Sequence, residues 1–226
     1  MGDSGNGKLT IYVDCVSPYS WFGFTNIRKF RPMLDAHGVQ VEILPFFLGG
    51  ARDSVGNPFT PPLQAKVAFS SQDTSMTGEL LGLKIVTPEV FPISSLFPVR
   101  VATWVKDHYP EEKFEQTFYN LVSGYWSKGI NISAPEGVYK ALDGVFSSQE
   151  IDEIIKKAIT PENKKRVVDI TMGSGAFGAP WIVAVDRHGE KKAWFGNDRW
   201  DQVFYHLGVP HTSVNVIPPK EANAKL

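Results

Sequence analysis

The sequence predicts an α/β fold in which a long helical block separates two parts of one sheet. An apolar strand, Leu9 to Val13, precedes an amphipathic helix that ends near Ala36, and an alternating strand follows at 39–43. Strand patterns return only at 181–185 and 192–195, after helical patterns over 62–173. The order β-α-β, helical block, β-β-α predicts a sheet with an all-helical domain inserted after its second strand.

The first strand-to-helix junction carries the sequence Ser17-Pro18-Tyr19-Ser20. Ser17 suits the N-cap, and Pro18 suits the first helical position, where its missing N–H is no loss. The free N–H groups and positive dipole end of such a helix favour an anion, such as a thiolate, beside Ser17. By itself the tetrapeptide also fits a plain helix cap.

Glycine and proline mark the segments between these elements. The pairs at 49–50 and 61–62 and the cluster at 56–58 predict a loop after the second strand. Inside the helical block, capping boxes are predicted at 133–136 and 147–150, and a Thr-Pro helix start at 160–161. Four aromatic and apolar residues recur at helical spacing and predict a buried helix face: Phe114, Phe118, Leu121 and Tyr125.

The end of the chain is predicted to return to the sheet. A polar turn at 187–189 between the two late strands indicates an antiparallel hairpin. A last helix is predicted to begin near 197–200 and to place four residues on one face: Trp200, Val203, Phe204 and Leu207.

Residues 173–178 match the G-x-G-x-x-G pattern of dinucleotide-binding folds. That fingerprint follows a strand and opens a helix, whereas here a helix precedes it and a strand follows, so we reject a dinucleotide site. The segment instead reads as a turn into Ala179-Pro180. We predict a cis peptide bond there, which leaves the main chain of Ala179 free to pair with an extended, peptide-like ligand. A proline that only starts an edge strand is the alternative.

Composition excludes several classes of function. Lys and Arg (23) balance Asp and Glu (24), which argues against nucleic-acid binding. No apolar run approaches the roughly 20 residues that span a bilayer, so no membrane segment is expected. The single cysteine, Cys15, excludes a disulfide within the chain and a CxxC pair, and indicates a buried, inert thiol in a reducing compartment. The five histidines lack metal-ligand spacing, so no metal is expected.

Taken together, these segments resemble the kappa-class glutathione transferases, which share their fold with DsbA-like oxidoreductases and 2-hydroxychromene-2-carboxylate isomerases. The resemblance runs through 12–21, 53–57, 175–180, 195–199, 218–219 and the terminal 223–226. It implies a thioredoxin-like, glutathione-binding domain made of 8–57 and 174–226, with 58–173 as the helical insertion. It also implies glutathione as co-substrate and a homodimer.

The resemblance implies a set of glutathione contacts. The residues at matching positions are Ser17, Pro18, Tyr19, Asn57, Lys66, Asp73, Ala179, Pro180, Asn197, Asp198 and Arg199. Ser17 is the implied catalytic residue, hydrogen-bonded to the sulfur. Lys66 suits the glycine carboxylate and Asn197-Asp198 the γ-glutamyl end. For Lys66 and Asp73 a solvated helix face remains the alternative, and Arg199 either serves a glutathione carboxylate or flanks the last helix.

The implied activity is a glutathione transferase that activates the thiol for attack on a hydrophobic electrophile, with peroxide reduction as a further activity. A glutathione-dependent isomerase of the 2-hydroxychromene-2-carboxylate type and a non-enzymatic glutathione-binding or chaperone-like module stay open, whereas the missing cysteines exclude a thiol-disulfide oxidoreductase. The C-terminal Ala224-Lys225-Leu226 is a variant of the peroxisomal Ser-Lys-Leu address. We therefore expect a peroxisomal protein, with mitochondria or cytosol as alternatives.

Overall fold

A computed structural model describes residues 7–214 of the chain. Its strands are β1 Gly7–Val13, β2 Val39–Pro45, β3 Trp181–Asp186 and β4 Lys191–Phe195. Its helices are α1 Pro18–Ala36, α2 Leu48–Ser54, α3 Gln64–Leu80, α4 Leu96–His108, α5 Glu111–Lys128, α6 Pro135–Leu142, α7 Ser148–Ala158, α8 Pro161–Gly173 and α9 Trp200–Leu207. None of the helices in this part of the chain is long and apolar enough to cross a membrane.

The four strands form one sheet in the order β2-β1-β3-β4. Strand β1 runs parallel to β2 and antiparallel to β3, with Ile11 paired to Ile43 on one side and Ile182 on the other. The predicted β3-β4 hairpin is confirmed as an antiparallel pair. Leu9, Thr10 and Ile11 are consecutive and all buried, and because side chains alternate along a strand, both faces of β1 are covered.

The predicted fold class is confirmed: β1, α1, β2, β3, β4 and α9 make a thioredoxin-like core, and a helical block is inserted between β2 and β3. Helix α1 packs on β1 and β2, and α9 packs on β3. On α5 the predicted apolar face is confirmed, since Phe114, Phe118, Leu121 and Tyr125 are all buried. The predicted domain limits at 57–58 and 173–174 stay a prediction.

The prediction of a loop at Gly49 and Gly50 is wrong, because these residues lie in α2. The ring of Phe47 packs directly on both glycines, so closely that a Cβ at Gly49 would come within 2.7 Å of it. A hydrogen bond from the N–H of Leu48 to the carboxylate of Asp14 holds the start of this helix. The glycines therefore permit close packing inside a helix, which outweighs their low helix propensity.

Of the two predicted capping boxes, the one at 147–150 is confirmed, with both reciprocal bonds between Ser147 and Glu150. The one at 133–136 is wrong. Ser133 directs both its N–H and its hydroxyl to the side chain of Asn131, and Ala134 takes the N-cap position of α6. A side chain engaged in its own Asx-type turn is not available to cap the helix.

Candidate functional site

Ser17 caps α1 as predicted. Its Oγ accepts a hydrogen bond from the N–H of Ser20 at 3.2 Å, and its carbonyl accepts the N–H of Trp21. Pro18 follows at the first helical position and has no N–H to satisfy. Among the described residues, neither the N–H of Tyr19 nor the hydroxyl hydrogen of Ser17 has an acceptor. The turn therefore offers two free donors at the positive end of a 19-residue helix.

Asp14, which the sequence reasoning missed, shapes this turn from beneath and is fully buried. Its Oδ1 accepts the N–H of Val16 at 2.8 Å, and its main-chain N–H donates to the Oγ of Ser20 at 3.1 Å. Its Oδ2 accepts the N–H of Leu48 at 2.8 Å and the hydroxyl of Ser95 at 2.7 Å. Burial raises the pKa of Asp14, and these three hydrogen bonds to its carboxylate oppose the rise.

Cys15 follows directly and is the free, fully buried thiol that the sequence predicts. Burial raises the pKa of this thiol well above its ordinary value, and the charge of Asp14 adds to the rise. Because the thiolate is the reactive form of cysteine, both effects disfavour reaction at Cys15.

The loop before β3 faces the same end of α1. The Ala179-Pro180 bond is cis, as predicted. The ring of Pro180 packs on Gly23, where an added Cβ would come within 3.1 Å of it. No main-chain hydrogen bond of Ala179 exists within residues 7–214. Helix α8 ends at Gly173 and β3 begins at Trp181, so the glycine-rich segment follows a helix and precedes a strand, as predicted.

One pocket, about 430 Å³ in volume, collects five of the predicted residues, and we call it the Asp73 pocket. Its predicted lining residues are Tyr19, Asp73, Ala179, Asn197 and Asp198. The hydroxyl of Tyr19 donates to Asp73 at 2.8 Å and so joins α1 to α3. Partial burial, together with the hydrogen bond to Asp73 and its charge, raises the pKa of Tyr19 to about 12. Tyr19 is thus a proton donor and not a base at neutral pH.

The amide of Asn197 is oriented by two donors. Its Oδ1 accepts from the side chain of Asn26 at 3.1 Å and from the indole of Trp200 at 3.3 Å. Because both partners are donors, the side-chain oxygen of Asn197 faces them, and its NH₂ group is left to donate into the pocket. Arg199 forms a 3.7 Å ion pair with Asp198, but both side chains are more than half exposed and such a pair contributes little.

A second cavity lies on the other side of the α1 turn, and we call it the Ser17 cleft. It has a volume of about 390 Å³ and is walled mainly by apolar groups. Ser17 and Pro18 line it together with Val16, Leu48, Phe59 and Phe91. Both cavities have largely apolar walls, and the Asp73 pocket differs in carrying the carboxylates of Asp73 and Asp198.

Four predicted residues line neither cavity: Asn57, Lys66, Pro180 and Arg199. Asn57 is exposed, and its amide donates to the carbonyl of Phe177 at 3.3 Å, which ties its loop to the one before Pro180. Lys66 lies in the first turn of α3 and is exposed. Arg199, just before α9, is exposed as well. Their glutathione contacts stay predictions.

The fold also assembles a group that sequence spacing could not indicate. Ligand atoms of Asp186, Glu190 and His206 lie within 4.8 Å of one another on the β3-β4 hairpin and α9. Asp186 already accepts the N–H groups of His188 and Glu190, as a turn-forming aspartate does. This group is accounted for by turn structure, and it lines neither the Asp73 pocket nor the Ser17 cleft.

Comparisons with known proteins show which curated proteins this chain resembles. The chain is 27% identical to glutathione S-transferase kappa 2 of Caenorhabditis elegans over 214 residues, 89% of this chain and 92% of that one. It is also 27% identical to glutathione S-transferase kappa 1 of Homo sapiens over 228 aligned positions, covering 96% and 97% of the two chains. The predicted resemblance to the kappa class is thereby confirmed, and these matches support the prediction of an enzyme.

Among solved structures, a 2-hydroxychromene-2-carboxylate isomerase superposes with a TM-score of 0.67 at 18% identity, covering 89% of this chain and 94% of that one. This likeness shows a shared fold. A family model described as the DSBA-like thioredoxin domain matches residues 8–208. Because this match covers more than half of the chain, the chain belongs to the DSBA-like thioredoxin domain family.

Proposed function

We propose that this protein is a glutathione transferase that activates the thiol of bound glutathione at the Ser17 turn. The observation that carries the proposal is the pair of free donors there, the hydroxyl of Ser17 and the N–H of Tyr19, at a helix N-terminus. Both favour the thiolate over the thiol, because hydrogen bonds to a charged sulfur and the helix dipole stabilise the anion. The similarity to curated kappa-class transferases supports this choice of ligand.

The tripeptide is proposed to lie across the Asp73 pocket. Its cysteinyl unit pairs with the unbonded main chain of Ala179, as an extended strand does. Its γ-glutamyl end meets the amide of Asn197 and the carboxylates of Asp73 and Asp198, which suit the α-ammonium group. The sulfur is then placed beside Ser17.

The thiolate is proposed to attack an electrophile held in the Ser17 cleft. With a chloronitrobenzene a C–S bond forms and chloride leaves. With a hydroperoxide the thiolate attacks the terminal oxygen, the O–O bond breaks, and the alkoxide takes a proton to leave as the alcohol. The resulting glutathione sulfenic acid then condenses with a second glutathione to give the disulfide and water. The apolar walls of the cleft suit a hydrophobic electrophile or organic peroxide, and no protein nucleophile is required.

The test uses the purified protein with glutathione and either 1-chloro-2,4-dinitrobenzene or cumene hydroperoxide. Turnover with either substrate, lowered in Ser17→Ala, is the expected result. Calorimetric binding of glutathione without any turnover supports a binding module instead. Turnover only of a 2-hydroxychromene-2-carboxylate, with glutathione returned unchanged, supports an isomerase.

We propose in addition that the protein is a homodimer and that α3 contributes to the interface. This helix and the residue before it expose apolar side chains to an unusual degree, with Leu63, Phe69 and Leu80 at 75%, 66% and 86% exposure. Exposed apolar patches of this kind mark interaction surfaces. Sedimentation equilibrium is expected to give twice the chain mass, and Leu80→Arg is expected to weaken the dimer. A monomeric wild-type chain at micromolar concentration contradicts the proposal.

The peroxisomal address stays a proposal, since Ala224-Lys225-Leu226 lies outside the described residues. Fusion of the last ten residues to a fluorescent reporter is expected to give peroxisomal puncta that are lost on deletion of Leu226. A diffuse or mitochondrial signal, unaltered by that deletion, supports the cytosolic or mitochondrial alternative.

A further inference from the structure

We propose that Asp14 is a positioning residue that holds one wall of the Ser17 cleft against the Ser17 turn, and so sets how well an apolar group binds beside the glutathione sulfur. This inference rests on the proposed function and deepens it. It starts from a fully buried carboxylate that the thiol chemistry does not use.

Asp14 joins three segments that are far apart in the chain. One carboxylate oxygen holds the N–H of Val16, on the turn itself. The other holds the first N–H of α2, at Leu48, and the hydroxyl of Ser95, which precedes α4. Val16, Leu48 and Ser95 all line the cleft. The relative placement of the turn and its facing walls therefore depends on this one side chain.

Only a carboxylate satisfies this arrangement. It accepts hydrogen bonds at both oxygens and donates none, and here it meets three donors from different elements. In Asp14→Asn the amide oxygen can keep the bond to Val16, but the amide NH₂ then faces the N–H of Leu48, and two donors repel. The substitution is thus expected to displace α2 from the turn while leaving the cap at Ser17 in place.

The test compares the affinities of glutathione and S-hexylglutathione by isothermal titration calorimetry. The hexyl chain extends from the sulfur into the cleft, so the ratio of the two dissociation constants reports on the cleft without requiring turnover. Asp14→Asn is expected to lower the preference for S-hexylglutathione about tenfold, and Ser95→Ala about threefold, since the latter loses one of the hydrogen bonds. Both variants are expected to bind glutathione within about twofold of wild type, because the Asp73 pocket is untouched.

Thr103→Val is the matched control. Thr103 lies in α4, the helix that follows Ser95, and its substitution also removes a buried hydroxyl. That hydroxyl donates to the carbonyl of Val99 and does not line the cleft. Thr103→Val is expected to leave the ratio of the two dissociation constants unchanged. The double variant Asp14→Asn/Ser95→Ala is expected to lose no more of the preference for S-hexylglutathione than Asp14→Asn alone, because both substitutions break the same set of hydrogen bonds.

Two results overturn the inference. One is a ratio of the two dissociation constants that stays at the wild-type value in each of the single variants Ser95→Ala and Asp14→Asn. If Asp14→Asn does not fold, Ser95→Ala alone decides. The other is an equal loss of affinity for both ligands, which places the role of Asp14 in the turn alone. A wild-type protein that binds neither ligand refutes the proposed function itself, and the inference falls with it.

Discussion

Replacing Ser17 by alanine is the sharpest test of the proposed thiol activation. The substitution removes Oγ, which in the structure accepts the N–H of Ser20 and has a free hydrogen to donate. It leaves the main chain, the N–H of Tyr19 and the helix dipole in place. We therefore expect a higher pKa of the bound thiol and little loss of glutathione affinity.

The size of the effect follows from the one hydrogen bond that is lost. A hydrogen bond to a charged group contributes about 1.5–3 kcal/mol. One pKa unit corresponds to about 1.4 kcal/mol, so the pKa of the bound thiol is expected to rise by about one to two units. At a pH well below both pKa values the thiolate fraction then falls about 10- to 100-fold, and the fall is smaller where the wild-type thiol is already largely ionised. Loss of the cap is expected to lower the free energy of unfolding by about 1 kcal/mol.

The assay is a titration of thiolate ultraviolet absorbance in the glutathione complex, alongside the pH dependence of kcat/KM. Thr25→Val serves as the matched control, because it removes a hydroxyl from the same helix that donates only to the carbonyl of Trp21. The control is expected to leave the thiol pKa unchanged. A Ser17→Ala complex with the wild-type thiol pKa refutes the role of Ser17, and a protein that no longer binds glutathione refutes the division between activation and binding.

Three further substitutions test other parts of the site. Cys15→Ala is expected to keep turnover within about twofold, with a stability loss of about 1 kcal/mol from the small cavity, and inactivation of the folded variant contradicts the inert role. Tyr19→Phe is expected to weaken glutathione binding about three- to tenfold through loss of the bond to Asp73. It should leave the inflection of the pH-rate profile in place, since a phenol whose pKa is raised to about 12 stays protonated until the pH approaches that value; a shifted inflection near neutral pH would make Tyr19 the thiol-activating group. Asn197→Ala is expected to raise the dissociation constant of glutathione by a similar factor without moving the thiol pKa, and unchanged affinity would remove Asn197 from the site.

Local signals were sufficient to predict most of the fold and the centre of the site. The Ser17-Pro18 cap, the β3-β4 hairpin and the cis peptide before Pro180 each depend on neighbouring residues, and the structure contains all three. Where a local rule failed, a competing contact explains it. The glycines of α2 lie under the ring of Phe47, and Ser133 is engaged by Asn131.

Long-range partners could not be predicted in this way. Asp14 and Ser95 are 81 positions apart, and Asn26 and Asn197 are 171 apart. No periodicity or spacing links such pairs, because their proximity is decided by how the helical block docks on the sheet. A polar residue between an apolar strand and a helix cap, as at Asp14, was the only signal available, and solvent exposure was an equally natural interpretation of it.

The proposed function requires one turn to disfavour the thiolate of its own cysteine and to favour the thiolate of a bound ligand. The sulfur of Cys15 lies in the core, where burial and the charge of Asp14 both disfavour the thiolate. A ligand sulfur beside Ser17 would instead meet a hydroxyl, a free N–H and the positive end of α1, and all three favour the thiolate over the thiol. The charge of Asp14 also disfavours a ligand thiolate, but its carboxylate is already engaged by three hydrogen bonds, from Val16 in the turn, from Leu48 in α2 and from Ser95 before α4. Under the proposed function, the reactivity of a sulfur at this turn is therefore determined by which side of the turn it occupies.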